Sequence, residues 1–144
     1  MHGASELGEG AGDPRASPRR CAEATAMTPA TPVALIGCGN LGSRIARGIA
    51  AGDAGACTLT AVYNGARHAK AGRLAQETGA IACATLDELL ATRPEYVVEA
   101  ATGSVLREVA VPCLRAPASL IVLSTGAFAD PALLDAAMAS AREH

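Results

Sequence analysis

Val33-Ala34-Leu35-Ile36-Gly37-Cys38-Gly39-Asn40-Leu41-Gly42 is the stretch on which the fold turns. A short apolar run ends in Gly-x-Gly-x-x-Gly, and Leu41, Ile45 and Ile49 then follow at four-residue spacing. That order reads as a strand, a tight turn and an amphipathic helix. Gly37 permits the turn, Gly39 removes a side chain that would fill the space above the loop, and Gly42 lets the helix lie close to the strand. Free amides at a helix start face an anion, helped by the helix dipole. The stretch therefore predicts a cradle for the pyrophosphate of a dinucleotide. Glycine-rich turns are common, and the motif alone is weak. Its position after a strand and before a helix, with a second strand returning at Thr58–Tyr63, gives it weight.

Outward from this stretch, strand and helix patterns alternate. The first strand is expected over Val33–Ile36, and the first helix ends near Gly52. A second helix is expected from Arg67 to Thr78, stopped by Gly79. A short third strand covers Ile81–Ala84. Thr85-Leu86-Asp87-Glu88 forms a capping box for a brief helix through Ala91, and Pro94 keeps it from continuing. The apolar run Tyr96–Ala100 predicts a fourth strand buried on both faces. A helix over Ser104–Leu114 follows, with Pro112 expected to kink or restart it. Leu120–Leu123 reads as the fifth strand. Asp130-Pro131 supplies an N-cap and a first-turn proline for a last helix carrying Leu133, Leu134, Ala137, Met138 and Ala141.

Such alternation implies right-handed crossovers and a parallel sheet. The expected class is α/β, a Rossmann-type doubly wound sheet of about five strands in the order 3-2-1-4-5. Ligand then lies at the carboxyl ends of strands one, two, four and five. Those ends are residues 37–42, 64–67, 100–103 and 124–127, all small or polar.

The bulk numbers agree with one such domain. The chain has 144 residues, half of them hydrophobic, with two Tyr, one Phe and no Trp, so its core is aliphatic. Net charge is −2, and no basic cluster falls in the folded part, so nucleic-acid binding is not indicated. No apolar run approaches the roughly 18 residues of a membrane span, and the N-terminus lacks a signal-peptide core, which makes the cytoplasm the expected location. The five Cys form no C-x-x-C pair, and His2, His68 and His144 are scattered, so no metal site is expected. The thiols are expected to be free, in a reducing compartment. Residues 1–31 are rich in Gly, Ala, Ser, Pro, Glu and Arg without periodicity, and are expected to form a disordered N-terminal extension. Residues 32–144 are the expected dinucleotide-binding domain.

Within the expected site, NAD-preferring folds place an acid about 20 residues past the glycines, on the ribose hydroxyls. Here that place holds Asn64, which can bond a hydroxyl without repelling a 2′-phosphate. Arg67, with His68 or Lys70, is a candidate partner for such a phosphate; a helix-surface charge is the plainer reading. The cofactor is therefore NADP or NAD. Ala101 and Thr102 would flank its centre, although Thr102 suits a helix cap equally. Ser124, Thr125, Gly126 and Ala127 would lie toward the nicotinamide. Glu99, at the end of a buried strand, requires partners, and local backbone groups are the plainer ones.

Gly37-Cys38-Gly39-Asn40-Leu41-Gly42, Val97-Val98-Glu99-Ala100-Ala101 and Leu123-Ser124-Thr125-Gly126-Ala127-Phe128-Ala129-Asp130 together resemble the N-terminal half of L-aspartate dehydrogenase, over about residues 32–144. The resemblance implies oxidation of L-aspartate to iminoaspartate with NAD or NADP, with a product that can feed nicotinamide-cofactor biosynthesis. It also implies cofactor contacts from Asn40, Leu41, Ala101, Thr102 and the Ser124–Ala127 turn, and a homo-oligomer. The family often carries an acid where this chain has Asn64. It continues into a second domain that brings a catalytic histidine, which none of His2, His68 and His144 matches by context. No catalytic residue is assigned, and L-aspartate is expected as a partner only if that second half is supplied. Two alternatives remain: a non-catalytic dinucleotide-binding sensor, and the cofactor domain of a homoserine-dehydrogenase-like enzyme. The Ser-Thr-Gly-Ala-Phe-Ala-Asp run speaks against the latter.

Overall fold

A computed structural model describes residues 29–144. Most of the expected N-terminal extension, with His2, Cys21 and the three arginines Arg15, Arg19 and Arg20, lies outside the described residues.

Five strands, β1 (Thr31–Ile36), β2 (Cys57–Tyr63), β3 (Ile81–Cys83), β4 (Tyr96–Glu99) and β5 (Ser119–Val122), form one parallel sheet in the order β3-β2-β1-β4-β5. The helices are α1 (Asn40–Ala51), α2 (His68–Thr78), α3 (Leu86–Ala91), α4 (Gly103–Arg115) and α5 (Pro131–Glu143), with a short 3-10 helix at Thr125–Ala129. This is the expected doubly wound sheet.

Alternation along β1 sorts its side chains between two cores. Val33 and Leu35 pack with Ala46 and Ile49 of α1 and Ala71 and Leu74 of α2. Ala34 and Ile36 face the other way, with Leu89 of α3 and Val109 and Cys113 of α4. Leu35 and Ile36 are both fully buried, each contributing about 2 kcal/mol. A third, smaller core joins α4 to α5 through Leu106, Ala110, Ala127 and Leu133. Between Val33 and Ala34 the β1–β2 register slips, and the extra residue Thr60 donates its hydroxyl to Val33 O at 3.1 Å.

Caps fix the helix starts. The Thr85 hydroxyl accepts Glu88 N at 3.1 Å, while the Glu88 carboxylate accepts Ala84 N at 2.7 Å, one residue further back than a standard capping box. Asp130 Oδ1 accepts Ala132 N ahead of α5, with Pro131 in the first turn. Pro112 does not restart its helix: α4 runs through it to Arg115. Both Pro112 and Glu108, whose carbonyl loses its helical donor, are exposed, so water can replace the missing bond.

Candidate functional site

The strand order reverses at β1, and the glycine loop sits at that reversal, where the crevice of a doubly wound sheet opens. Gly37 has φ +100°, and a Cβ there would stand 2.6 Å from Ala100 O. The close approach of the β1 and β4 ends leaves no room for a side chain. A Cβ on Gly42 would run into the Gly37 carbonyl oxygen. Gly39 is different, because a Cβ there would meet nothing within 4 Å. Gly37 and Gly42 thus close the loop against the sheet, and Gly39 keeps the space above it open.

That open space meets the amino end of α1. Gly39 offers no side-chain cap, and the first turn carries no acidic residue. By contrast α3, α4 and α5 are each capped by a side chain. Leading amides without a side-chain partner beside a clear volume suit a bound anion.

Two clefts flank Gly39. One, of about 320 Å³, is lined by Gly39, Asn40, Leu41, Ala100, Ala101, Leu123 and Ser124. The other, of about 510 Å³, opens among the loops after β1, β2 and β4, with Asn64, Arg67 and Thr102 on its walls. Gly37, Gly39, Asn40, Leu41, Asn64, Arg67, Ala101, Thr102 and Ser124 are thereby brought together. Thr125, Gly126 and Ala127 line neither cleft. Thr125 and Gly126 are exposed on the 3-10 helix, while Ala127 turns inward to Leu106 and Leu133. Ser104, Val105 and Glu108 of α4 also line the larger cleft, and sequence reading missed them. Their place just after a post-strand helix cap is the signal that could have found them.

Several candidate side chains hold the protein's own loops. Asn64 Oδ1 accepts Cys38 N at 2.8 Å, and Asn64 Nδ2 donates to Arg67 O at 3.2 Å. The Thr102 hydroxyl faces Val105 N at 3.5 Å as the N-cap of α4, and shares a 2.8 Å bond with Ser104 Oγ. Glu99 is fully buried, yet its carboxylate accepts three bonds: Ala101 N at 2.8 Å, Ser124 N at 3.1 Å and Ser124 Oγ at 2.9 Å. It pins the loops after β4 and β5 together beneath the smaller cleft.

Cys38, Cys57, Cys83 and Cys113 are free thiols. Burial raises the pKa of Cys38, and the nearby Lys70 charge partly opposes that shift. Burial also raises Cys83, with help from the Glu88 charge, and pushes Cys113 up to about 12. Among the described residues, no helix is long and apolar enough to cross a membrane, and no three acidic, His or Cys residues are grouped to hold a metal ion.

Sheet order, glycine loop and flanking clefts define the class: this is a Rossmann-type NAD(P)-binding domain of the kind that dehydrogenases carry. Residues 37–144 match the family described as homoserine dehydrogenase, NAD binding domain, and the chain belongs to that family. Over 104 residues it is 42% identical to L-aspartate dehydrogenase 2 of Bordetella bronchiseptica, covering 70% of this chain and 37% of that one. Over 98 residues it is 34% identical to L-aspartate dehydrogenase of Methanococcus maripaludis, covering 68% of this chain and 36% of that one. The chain therefore spans little more than a third of the length of these curated relatives. Among solved structures it resembles UDP-N-acetylglucosamine 3-dehydrogenase GnnA from Acidithiobacillus ferrooxidans, with a TM-score of 0.67 and 25% identity, covering 78% of this chain and 35% of that one. The chain is thus an NAD(P)-binding domain that resembles the matching part of L-aspartate dehydrogenases.

Proposed function

We propose that the amides at the start of α1 hold the pyrophosphate of NAD(P) over Gly39, with the adenosine in the larger cleft and the nicotinamide in the smaller one. The proposal extends to the reaction: the domain serves the oxidation of L-aspartate to iminoaspartate, within a homo-oligomer in the cytoplasm, where free thiols stay reduced. A bound nicotinamide supplies the hydride acceptor for that chemistry. The chain's own residues bind and orient. Asn40, Leu41 and Ala101 form walls of the smaller cleft, and the Glu99–Ser124 bonds keep its floor rigid.

The observation that carries this reading is the empty volume over Gly39 facing a helix start without a side-chain cap. No titratable side chain lines the smaller cleft, so none there can accept the proton that leaves the amino group. The expected behaviour of this chain is dinucleotide binding without appreciable turnover. Fluorescence titration with NADH and NADPH tests the first part, and absorbance at 340 nm with L-aspartate and NAD or NADP tests the second. Absence of binding to both dinucleotides overturns the reading. Robust turnover overturns the placement of the proton acceptor elsewhere.

A further inference from the structure

A third cavity opens on the other side of the glycine loop, between α1 and α2. It measures about 480 Å³ and is lined by Cys38, Gly39, Asn40, Ser43, Arg44, Arg47 and Lys70. Gly39 lines all three cavities, so this one borders the space proposed for the pyrophosphate. Three of its seven lining residues are cations and none is an acid, in a chain whose net charge is −2. Arg47 bonds Glu77 at 2.7 Å, which ties α1 to α2 across the groove and holds its walls. Arg44 and Lys70 are exposed, and neither is in a salt bridge among the described residues.

The position of this cavity matters more than its charge. Asn64 stands where NAD-preferring folds place the acid that reads the adenine ribose, and its carbonyl oxygen lies 2.8 Å from Cys38 N. The ribose-reading position therefore abuts a residue of the cavity wall. Asn64 is neutral and does not repel an anion placed beside the ribose. Arg67, the phosphate partner expected from sequence, lines the larger cleft instead, together with Glu108. The Glu108 carboxylate in that cleft opposes a dianion there, whereas the nearest acid to the α1–α2 cavity, Glu77, is already paired with Arg47.

We infer that the cavity between α1 and α2 takes the 2′-phosphate of NADP(H), held by Arg44 and Lys70, and that this chain prefers NADP(H) to NAD(H). The inference rests on the proposed dinucleotide reading of the glycine loop. Arg44 presents a planar fork that matches a phosphate through paired N–H groups, and Lys70 supplies a compact charge from the opposite helix.

Fluorescence titration of the full chain with NADPH and with NADH tests it. NADPH is expected to bind at least about tenfold more tightly, a gap that narrows as salt rises. Arg44→Ala and Lys70→Ala each lower the NADPH-to-NADH affinity ratio severalfold, and Lys70→Glu lowers it further. Arg115→Ala, on the far end of α4, is the control, and circular dichroism confirms that each variant is folded. Equal affinity for the two dinucleotides in the unaltered chain overturns the inference. So does a ratio that responds to Arg67→Ala but not to changes at Arg44 and Lys70. Failure to bind either dinucleotide is a separate outcome: it overturns the reading of the glycine loop, and this inference with it.

Discussion

Glu99 and Ser124 are joined twice, the carboxylate accepting the serine amide at 3.1 Å and its hydroxyl at 2.9 Å. The pair links the carboxyl ends of β4 and β5 under the proposed nicotinamide cleft. Glu99→Ala strands three part-buried donors and leaves a void in place of a fully buried side chain, so it is expected to destabilise the fold by about 2 kcal/mol in urea denaturation. Ser124→Ala, which leaves the amide bonds in place, costs about 1 kcal/mol. A Glu99→Ala protein as stable as the parent would show that this link is dispensable.

Gly39 and Gly42 are expected to fail in opposite ways. Gly42→Ala drives a methyl group into the Gly37 carbonyl and is expected to lower stability by about 2 kcal/mol. Gly39→Val places its side chain in open space, with little effect on the melting temperature. The same side chain fills the volume proposed for the pyrophosphate, so dinucleotide affinity falls at least about tenfold. Calorimetry and fluorescence titration on both variants separate the two effects.

Cys113 gives a pH signature. Burial pushes its folded pKa up to about 12, above the ordinary thiol value of 9.0. Between those values the native state keeps a proton that the unfolded chain releases. Its stabilising contribution is complete below pH 9 and is lost as pH rises from 9 through about 12. Denaturation midpoints measured from pH 8 to 11 are expected to fall more steeply for the parent than for Cys113→Ala. Iodoacetamide at pH 8 is expected to leave Cys113 unmodified until the protein is unfolded.

Among the described residues, apolar side chains remain exposed at two separate places. Ile121 on the edge strand β5 is 45% exposed, and Leu134 and Met138, one turn apart on α5, are 40% and 46% exposed. Exposed sheet edges and apolar patches drive association. Size-exclusion chromatography with light scattering is expected to show concentration-dependent self-association, reduced by the pair Leu134→Glu and Met138→Glu. A parent chain that stays monomeric at high concentration would contradict this.

Periodicity made the element order readable, because helix and strand spacing are local properties. The ends were less readable. β1 begins at Thr31, before Pro32, because a proline at a strand start need not donate, and its carbonyl accepts Glu95 N at 2.8 Å. The 3-10 helix at Thr125–Ala129 carries no pattern that a loop would lack. The roles of Gly37 and Gly42 were legible because backbone crowding leaves glycine as the residue that fits. The partners of Asn64 and Glu99 were not, since Cys38 and Ser124 lie 26 and 25 residues away along the chain. The groove between α1 and α2 was hidden for a related reason: it needs Arg44 and Lys70 to be neighbours across two helices.

The Asn64 amide grips Cys38 with one end and the carbonyl of Arg67 with the other. Two connecting segments from different strands are thereby welded into one wall before any ligand arrives. If the proposed dinucleotide seats against this wall, little ordering entropy is expected to be lost there, and capture is expected to be set by diffusive encounter and not by loop rearrangement.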